Sequence, residues 1–169
     1  MRGGKILALT LGWLLVVAPF ASAEELRLPR AGGPAIAVDV PEHWTSRYDE
    51  LGNLQITAED KSCALQLSIV TAPEPDKPAL SVIAAGIVTG SGAAPYSRTE
   101  PTVVGGVASD AYVSMMTLPG GTVLDERVVV IKLDHVHYAV AATLAVPNLT
   151  PVQTANLNVL VSRIRLIRE

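Results

Sequence analysis

Apolar and polar residues alternate over several stretches in the first half of the chain. The pattern over residues 35–40 predicts a half-buried strand, which Pro41 ends. Two further alternating runs, over residues 54–59 and 63–70, are separated by a short polar connection and predict an antiparallel hairpin. Residues 24–34 precede these strands, and we expect them to form a flexible or late-ordering lead-in.

The middle of the chain changes from strand periodicity to helix periodicity. Apolar residues recur at helical spacing over residues 77–88, which predicts a helix. Asp76 is placed to cap this helix, with Pro78 in its first turn. Further along, the pair Gly105-Gly106 predicts a sharp turn or a bulge.

Three long strand signals follow the glycine pair. They cover residues 107–118, 122–133 and 136–146, and the short turns between them predict a three-stranded meander. Residues 128–131 are apolar on both faces, so we expect the middle strand to lie inside the sheet with both faces covered. The charged residues 125–127 at the start of that strand are expected to lie nearer the solvent.

The end of the chain carries the signature of a helix. Thr150 and Gln153 form a capping box, with Pro151 at the first helical position. Five apolar residues beyond it fall on one face of the predicted helix: Leu157, Leu160, Val161, Ile164 and Ile167. Three arginines are then expected to complement the helix dipole in the last turns: Arg163, Arg165 and Arg168. The whole order of elements predicts an α+β fold, with an antiparallel sheet of about six to seven strands sandwiched by helices.

Residues 1–23 have the three parts of a secretory signal peptide. A short basic start precedes an apolar core over residues 6–17, and the small residues 21–23 form a cleavage site. The apolar core is shorter than the roughly 20 residues that span a bilayer. We therefore expect cleavage after Ala23 and a mature chain, residues 24–169, that forms a single α+β domain in the periplasm or outside the cell.

Charge and cysteine content argue against several functional classes. Of 13 basic residues, Arg2 and Lys5 leave with the signal peptide, so 11 remain against 16 acidic residues and the net charge moves from −3 to −5. Such an acidic protein lacks the basic surface that binds nucleic acid or an anionic membrane. Cys63 is the only cysteine, so we expect no internal disulfide and no lipid anchor. Within its alternating run, Cys63 is expected to be a buried, inert thiol.

The order of elements resembles that of the Mog1/PsbP-like fold family. The resemblance is carried by a strand running into Pro41-Glu42-His43-Trp44, the two alternating runs, the helix over residues 77–88, the turn at residues 103–106, the meander and the closing helix. It implies an antiparallel sheet between helices. It also implies a function in binding other proteins, since the family includes a small-GTPase partner, an accessory subunit of photosystem II and secretion chaperones. The family shares no catalytic residue set that could be carried over to this chain.

Candidate chemistry is sparse. The sequence has no nucleophile elbow and no phosphate-binding loop, and residues 90–92 are expected to form a flexible loop. No cofactor is expected. The candidate metal ligands are His135 and His137, which share a strand face and could bind zinc or copper with a third ligand from elsewhere. The alternative places Asp134 and His135 in a hairpin turn and His137 in a strand. His43 is a further candidate ligand, or a turn residue.

Trp44 also has two interpretations. An exposed Trp44 could anchor a partner protein, because Trp is enriched at binding hot spots, whereas a buried one would close the end of the sandwich. The sequence as a whole predicts an exported, soluble, non-enzymatic domain that binds another protein as an adaptor, assembly factor or accessory subunit. The alternative is a small-ligand or metal-binding module in the same compartment. A hydrolase with an unrecognised site is the third hypothesis.

Overall fold

The computed structural model describes residues 24–29, 31–72 and 78–168. Within these ranges the chain forms ten strands and two helices. The strands are β1 (Glu24–Leu28), β2 (Ala35–Val40), β3 (Trp44–Tyr48), β4 (Leu54–Ala58), β5 (Cys63–Thr71), β6 (Arg98–Val104), β7 (Val107–Thr117), β8 (Val123–Lys132), β9 (His137–Ala145) and β10 (Ile164–Ile167), and the helices are α1 (Leu80–Gly90) and α2 (Pro151–Ser162). The predicted signal peptide, residues 1–23, lies outside the described residues.

The strands form two antiparallel sheets. Seven strands make a large sheet in the order β3-β4-β5-β9-β8-β7-β6, and three make a small sheet in the order β1-β2-β10. The predicted hairpin corresponds to β4 and β5, and the predicted meander to β7, β8 and β9. Strand β8 lies inside the large sheet, as its apolar residues 128–131 predict. The α+β fold with an antiparallel sheet is therefore confirmed.

Both faces of the large sheet are covered by other elements. On one face, Ala84 of α1 belongs to a core cluster with Val130 of β8. On the other face, Leu160 of α2 and Val38 of the small sheet share a core cluster with Leu65 of β5. Burial of these apolar side chains on both sides is the main stabilising contribution to the layered arrangement. In the described part of the chain no helix is long and apolar enough to cross a membrane.

The expectation of a flexible lead-in is wrong for residues 24–28. Residues 24–28 form strand β1, which pairs with β2 from Glu24 opposite Val40 to Leu28 opposite Ile36. Leu28 belongs to the core and Leu26 packs against it, whereas Glu24 and Glu25 are exposed. The alternation was present in the sequence, but it spans only one short strand and therefore gives a weak periodic signal.

The prediction that the closing helix extends through Ile167 is also wrong. Helix α2 ends at Ser162, and residues 164–167 form strand β10 along β2. Arg165 therefore does not act on a helix dipole. It forms ion pairs with Glu25 of β1 and Asp39 of β2 instead. A run of only four residues is too short to distinguish helix periodicity from strand periodicity. These residues form a strand because the edge of β2 offers unpaired backbone groups with which they hydrogen-bond.

Helix α1 differs from its predicted bounds at both ends. It begins at Leu80, rather than residue 77, and ends at Gly90, rather than residue 88. Its N-cap is Ala79, whose side chain makes no capping hydrogen bond, and Pro78 precedes the helix instead of occupying its first turn. Asp76, the predicted cap, lies outside the described residues.

Glu126 does not lie nearer the solvent as expected. It is only 2% exposed, and its Oε2 accepts a hydrogen bond of 2.8 Å from the hydroxyl of Ser114 on β7. Glu126 shares a face of β8 with Val128, whereas Asp125 and Arg127 point to the opposite face. Three charged residues in a row hide this alternation, so the sequence pattern could not separate the buried carboxyl from its two neighbours.

Candidate functional site

In the described structure, His135 and His137, the two candidate metal ligands, do not converge with a third ligand on one site. His135 is exposed in the turn between β8 and β9, and His137 is the half-buried first residue of β9. Among the described residues, no group of three or more His, Cys, Asp and Glu side chains is arranged to hold a metal ion. The structure thus matches the alternative interpretation for the placement of these residues, with a turn followed by a strand.

His137 is instead oriented by a neighbouring carboxylate. Its Nδ1 lies 2.7 Å from Oδ2 of Asp134. The other carboxylate oxygen of Asp134 accepts hydrogen bonds from the backbone N–H groups of Val136, at 2.8 Å, and His137, at 2.7 Å. Although desolvation alone would raise the pKa of Asp134, these hydrogen bonds and the His137 side chain lower it to about 2. Asp134 is therefore ionised at neutral pH and holds the imidazole in one orientation.

His137 lines an open cleft with a volume of about 660 Å³. This surface, the His137 cleft, lies where the β1–β2 connection and the β3–β4 loop meet the adjoining ends of β5 and β9. Its apolar wall includes Leu28, Pro34 and Ile69, and its polar rim includes Asp49, Glu50 and His137. Ligand pockets commonly combine an apolar wall with a few placed polar groups in this way.

The Asp49 side chain and two backbone hydrogen bonds hold the β3–β4 loop at the mouth of this cleft. Oδ1 of Asp49 accepts the backbone N–H groups of Leu51, at 2.9 Å, and Asn53, at 2.8 Å, while its Oδ2 accepts the Asn53 side-chain amide at 2.9 Å. The Asn53 side-chain hydrogen bond is the largest of the contributions that lower the pKa of Asp49. Gly52 supplies the positive φ of +82° that the turn requires. The loop presents Leu51 to the solvent in a defined position, with 88% of its surface exposed.

A second cleft lies at the other end of the large sheet, beneath α2. This α2 cleft has a volume of about 280 Å³ and is bounded by α2 and by strands β6, β8 and β9. The β9 residues that line it are small: Ala141, Thr143 and Ala145. These short side chains leave space between the sheet and the helix. Asp125 and Arg127 of β8 lie on the same face of that strand and also line the cleft.

Helix α2 is anchored at its two ends. At the N-terminus the predicted capping box is confirmed: the Gln153 N–H donates to the Thr150 hydroxyl at 3.3 Å, and the Thr150 N–H donates to Gln153 Oε1 at 2.9 Å. The Gln153 amide also donates to Asp60 at 2.8 Å. Near the C-terminus, Leu160 is fully buried and is the only such residue of the helix. Helix α2 therefore lies over the cleft, and its side chains do not fill the space between the helix and the sheet.

Asp60, which accepts the hydrogen bond from the Gln153 side chain, is itself held in place by Ser62. Its Oδ1 accepts hydrogen bonds from the Ser62 hydroxyl, at 2.6 Å, and the Ser62 N–H, at 2.9 Å. The Ser62 side chain, followed by Gln153 and the Ser62 backbone, lowers the pKa of Asp60 to about 2.

Trp44, His43 and Cys63 line a third cleft of about 310 Å³, on the other side of the α2 N-terminus. Trp44 is half-buried and packs against the larger core, so its ring contributes to packing. Cys63 is 4% exposed, and burial raises the pKa of its thiol, which confirms the prediction of a buried thiol. Cys63 and Thr71, the register partner of His137, stand at opposite ends of β5, roughly 26 Å apart at about 3.3 Å per residue.

Sequence reasoning did not identify the residues that set the shape and the charge of the His137 cleft and the α2 cleft. The segment from Asp49 to Asn53 contains acidic, glycine and asparagine residues typical of a turn, so its loop could have been found from composition. The placement of Asp125 and Arg127 beside small β9 residues had no such signal, because it depends on strand register and on the position of α2.

Comparison with protein-family models and with characterised protein sequences finds no match. Several solved structures are similar in fold, including the following two. LpqN of Mycobacterium tuberculosis, described as involved in cell envelope biogenesis, matches with a TM-score of 0.52 and 14% identity over 85% of this chain and 91% of LpqN. A protein from Bacteroides thetaiotaomicron matches with a TM-score of 0.50 and 12% identity over 79% of this chain, which spans only 45% of that protein. These likenesses show a shared fold. The Mog1/PsbP-like family itself stays a prediction, because neither neighbour identifies it.

Proposed function

We propose that this protein is an exported, envelope-associated binding protein that docks a basic, apolar segment of a partner protein at the His137 cleft. It acts as an adaptor, assembly factor or accessory subunit, and it catalyses no reaction of its own. The observation that carries this proposal is Leu51, a large apolar side chain held 88% exposed beside an open cleft of about 660 Å³.

The rigidity of the loop supports a role in recognition. An exposed leucine on a flexible loop would lose conformational freedom when a partner bound. Here Asp49 accepts two hydrogen bonds from the loop backbone and one from the Asn53 side chain, so the loop is already ordered and less ordering is required on association. The nearby apolar wall of Leu28 and Pro34 offers a surface against which an apolar partner side chain can pack together with Leu51.

The charges around the cleft favour a basic partner. Asp49 and Glu50 belong to its rim, and the carboxylate of Asp134 contacts the imidazole of His137. The whole chain is acidic, with a net charge of −3. Acidic surfaces steer basic partners and raise association rates in a salt-dependent way.

Two observations support the envelope as the place of action. Residues 1–23 have the pattern of a signal peptide, and cleavage after Ala23 would leave β1 intact, because that strand begins at Glu24. The fold is similar to that of LpqN, whose described involvement is in cell envelope biogenesis. N-terminal sequencing of the protein recovered from the envelope fraction of its host tests this part. We expect Glu24 at the N-terminus, and an intact N-terminus in the cytoplasmic fraction would contradict export.

The arrangement around His137 supports binding rather than catalysis. An imidazole oriented by a carboxylate needs a nucleophile within hydrogen-bond reach to form a catalytic triad. In the described structure the only side-chain hydrogen-bond partner of His137 is Asp134, and the thiol of Cys63 lies at the far end of β5. A screen of the purified protein against generic esters and phosphates tests this part, and turnover lost on His137→Ala would overturn it.

A cross-linking experiment tests the docking surface. A photoreactive amino acid is placed at position 51 in one variant and at position 82 in another, and each is expressed in the native host. Val82 is a matched control because it is also a strongly exposed apolar residue, at 60%, on the opposite face of the large sheet. We expect one defined protein adduct from position 51 that disappears at high salt and that is absent from position 82. Equal adducts from both positions, or none from position 51, would overturn the proposal.

A further inference from the structure

We propose that the α2 cleft is a second, independent binding site that takes a free α-amino acid with an aliphatic side chain, such as leucine. The site is separate from the His137 cleft, because His137 and Ala145 stand at opposite ends of β9. The small-ligand activity therefore goes beyond the docking of a partner protein and does not depend on it.

The cleft changes from charged to apolar along one strand. Asp125, Arg127 and Val129 occupy alternate positions of β8, so all three line the same face, at intervals of roughly 6.6 Å. Opposite them on β9 stand Ala145, Thr143 and Ala141 in register. A ligand lying along β8 would thus have its charged end near Asp125 and Arg127 and its apolar end near Val129.

The charged end matches a zwitterion. Glu100 bridges two arginines: its Oε1 lies 2.8 Å from Arg98 and its Oε2 lies 2.9 Å from Arg127. This group of three side chains carries one net positive charge. The Asp125 side chain carries a negative charge, and its carboxylate has no hydrogen-bond or ion-pair partner in the described part of the chain. A ligand carboxylate can bind the unoccupied N–H groups of Arg127, and a ligand ammonium group can bind Asp125.

Other polar side chains of the cleft also lack protein partners. The side chains of Thr143, Asn148 and Asn158 line the cleft and form no hydrogen bond with other described residues. By contrast, the aspartates that line the other two clefts, Asp49 and Asp60, are already bound by neighbouring donors. Donors and acceptors without internal partners are available to bind a ligand.

The size and the apolar wall restrict the ligand further. Val104 and Val129 of the sheet face Leu157 and Val161 of α2 across the space. These side chains suit a branched aliphatic group. The volume of about 280 Å³ lies just below the roughly 300–1,000 Å³ of most ligand pockets, which favours a single amino acid over a peptide.

Calorimetric titration of the mature chain with L-leucine tests the proposal. Two analogues separate the contributions of the charges: isoamylamine is leucine without its carboxylate, and 4-methylpentanoate is leucine without its ammonium group. We expect saturable binding of L-leucine and at least about tenfold weaker binding of each analogue. Absence of saturable binding by L-leucine, or equal binding of either analogue, would overturn the assignment.

A pair of variants locates the binding. Asp125→Asn removes the charge proposed to hold the ammonium group, and we expect it to weaken leucine binding by about tenfold or more. Asp110→Asn is the matched control, because Asp110 is an exposed aspartate of β7 that does not line the α2 cleft. Both variants should keep the wild-type melting temperature in the absence of leucine. Equal weakening in the two variants would contradict a site at Asp125.

Discussion

The hairpin between β6 and β7 allows a stringent test of how the small sheet packs against the large one. Gly105 and Gly106 connect the register pair Val104 and Val107, with φ values of +58° and +77°. Positive φ at both central residues is typical of a two-residue hairpin turn. A Cβ atom added to Gly105 would lie 2.6 Å from Cγ of Leu166 in β10 and 3.4 Å from its backbone nitrogen, whereas one added to Gly106 meets nothing within 4 Å.

We therefore expect Gly105→Ala and Gly106→Ala to differ in cost, although both place an L side chain in the left-handed region. That conformation costs about 1–2 kcal/mol in either variant. Only Gly105→Ala must also displace Leu166, and overpacking of this kind costs a further 1–3 kcal/mol or so. The free energy of unfolding should fall by about 1–2 kcal/mol for Gly106→Ala and by about 2–5 kcal/mol for Gly105→Ala.

Urea unfolding of both variants, followed by the fluorescence of Trp44, measures this difference, provided that the slope m is unchanged. In a Leu166→Ala background the added Cβ has room, so the extra cost of Gly105→Ala should largely disappear. If Gly105→Ala and Gly106→Ala destabilise equally, or if the extra cost persists without the Leu166 side chain, the reasoning from this contact is refuted.

Three further predictions concern polar groups. Ser114→Ala removes the hydrogen-bond donor of the buried Glu126, so we expect the free energy of unfolding in urea to fall by about 1–3 kcal/mol. The loss should be much smaller in a Glu126→Leu background, and an equal loss in both backgrounds would contradict the hydrogen bond between Ser114 and Glu126. Because the pKa of Asp60 is lowered from 3.8 to about 2 in the folded state, its stabilisation is present above pH 3.8 and is lost as the pH falls to about 2. Thermal melts should therefore show a smaller acid-dependent loss for Asp60→Asn than for the wild type, and identical pH profiles would argue against this contribution. The thiol of Cys63 should react with a thiol reagent only slowly until urea unfolds the protein, and rapid labelling of the native state would contradict its burial.

The sites show which features a linear pattern can predict. The turn at Asp134 and His135 and the capping box at Thr150 depend on residues close in sequence, and both are confirmed. The buried environment of Cys63 followed from its place in an alternating strand. The His137 cleft and the α2 cleft could not be predicted in this way. Each is formed by side chains from elements that are distant in the chain and meet only in the folded protein.

The sequence by itself determined the local conformations: the alternating strands, the glycine turn at Gly105-Gly106 and the α+β class, because side-chain periodicity and backbone preference act over a few residues. The tertiary structure decided what those preferences leave open. It made a strand of residues 164–167 because the edge of β2 was available to pair with them, and it buried Glu126 while leaving its charged neighbours on the other face. It also placed α2 over small β9 residues, which left the α2 cleft unfilled. These outcomes depend on register and packing between distant segments, which no local pattern contains.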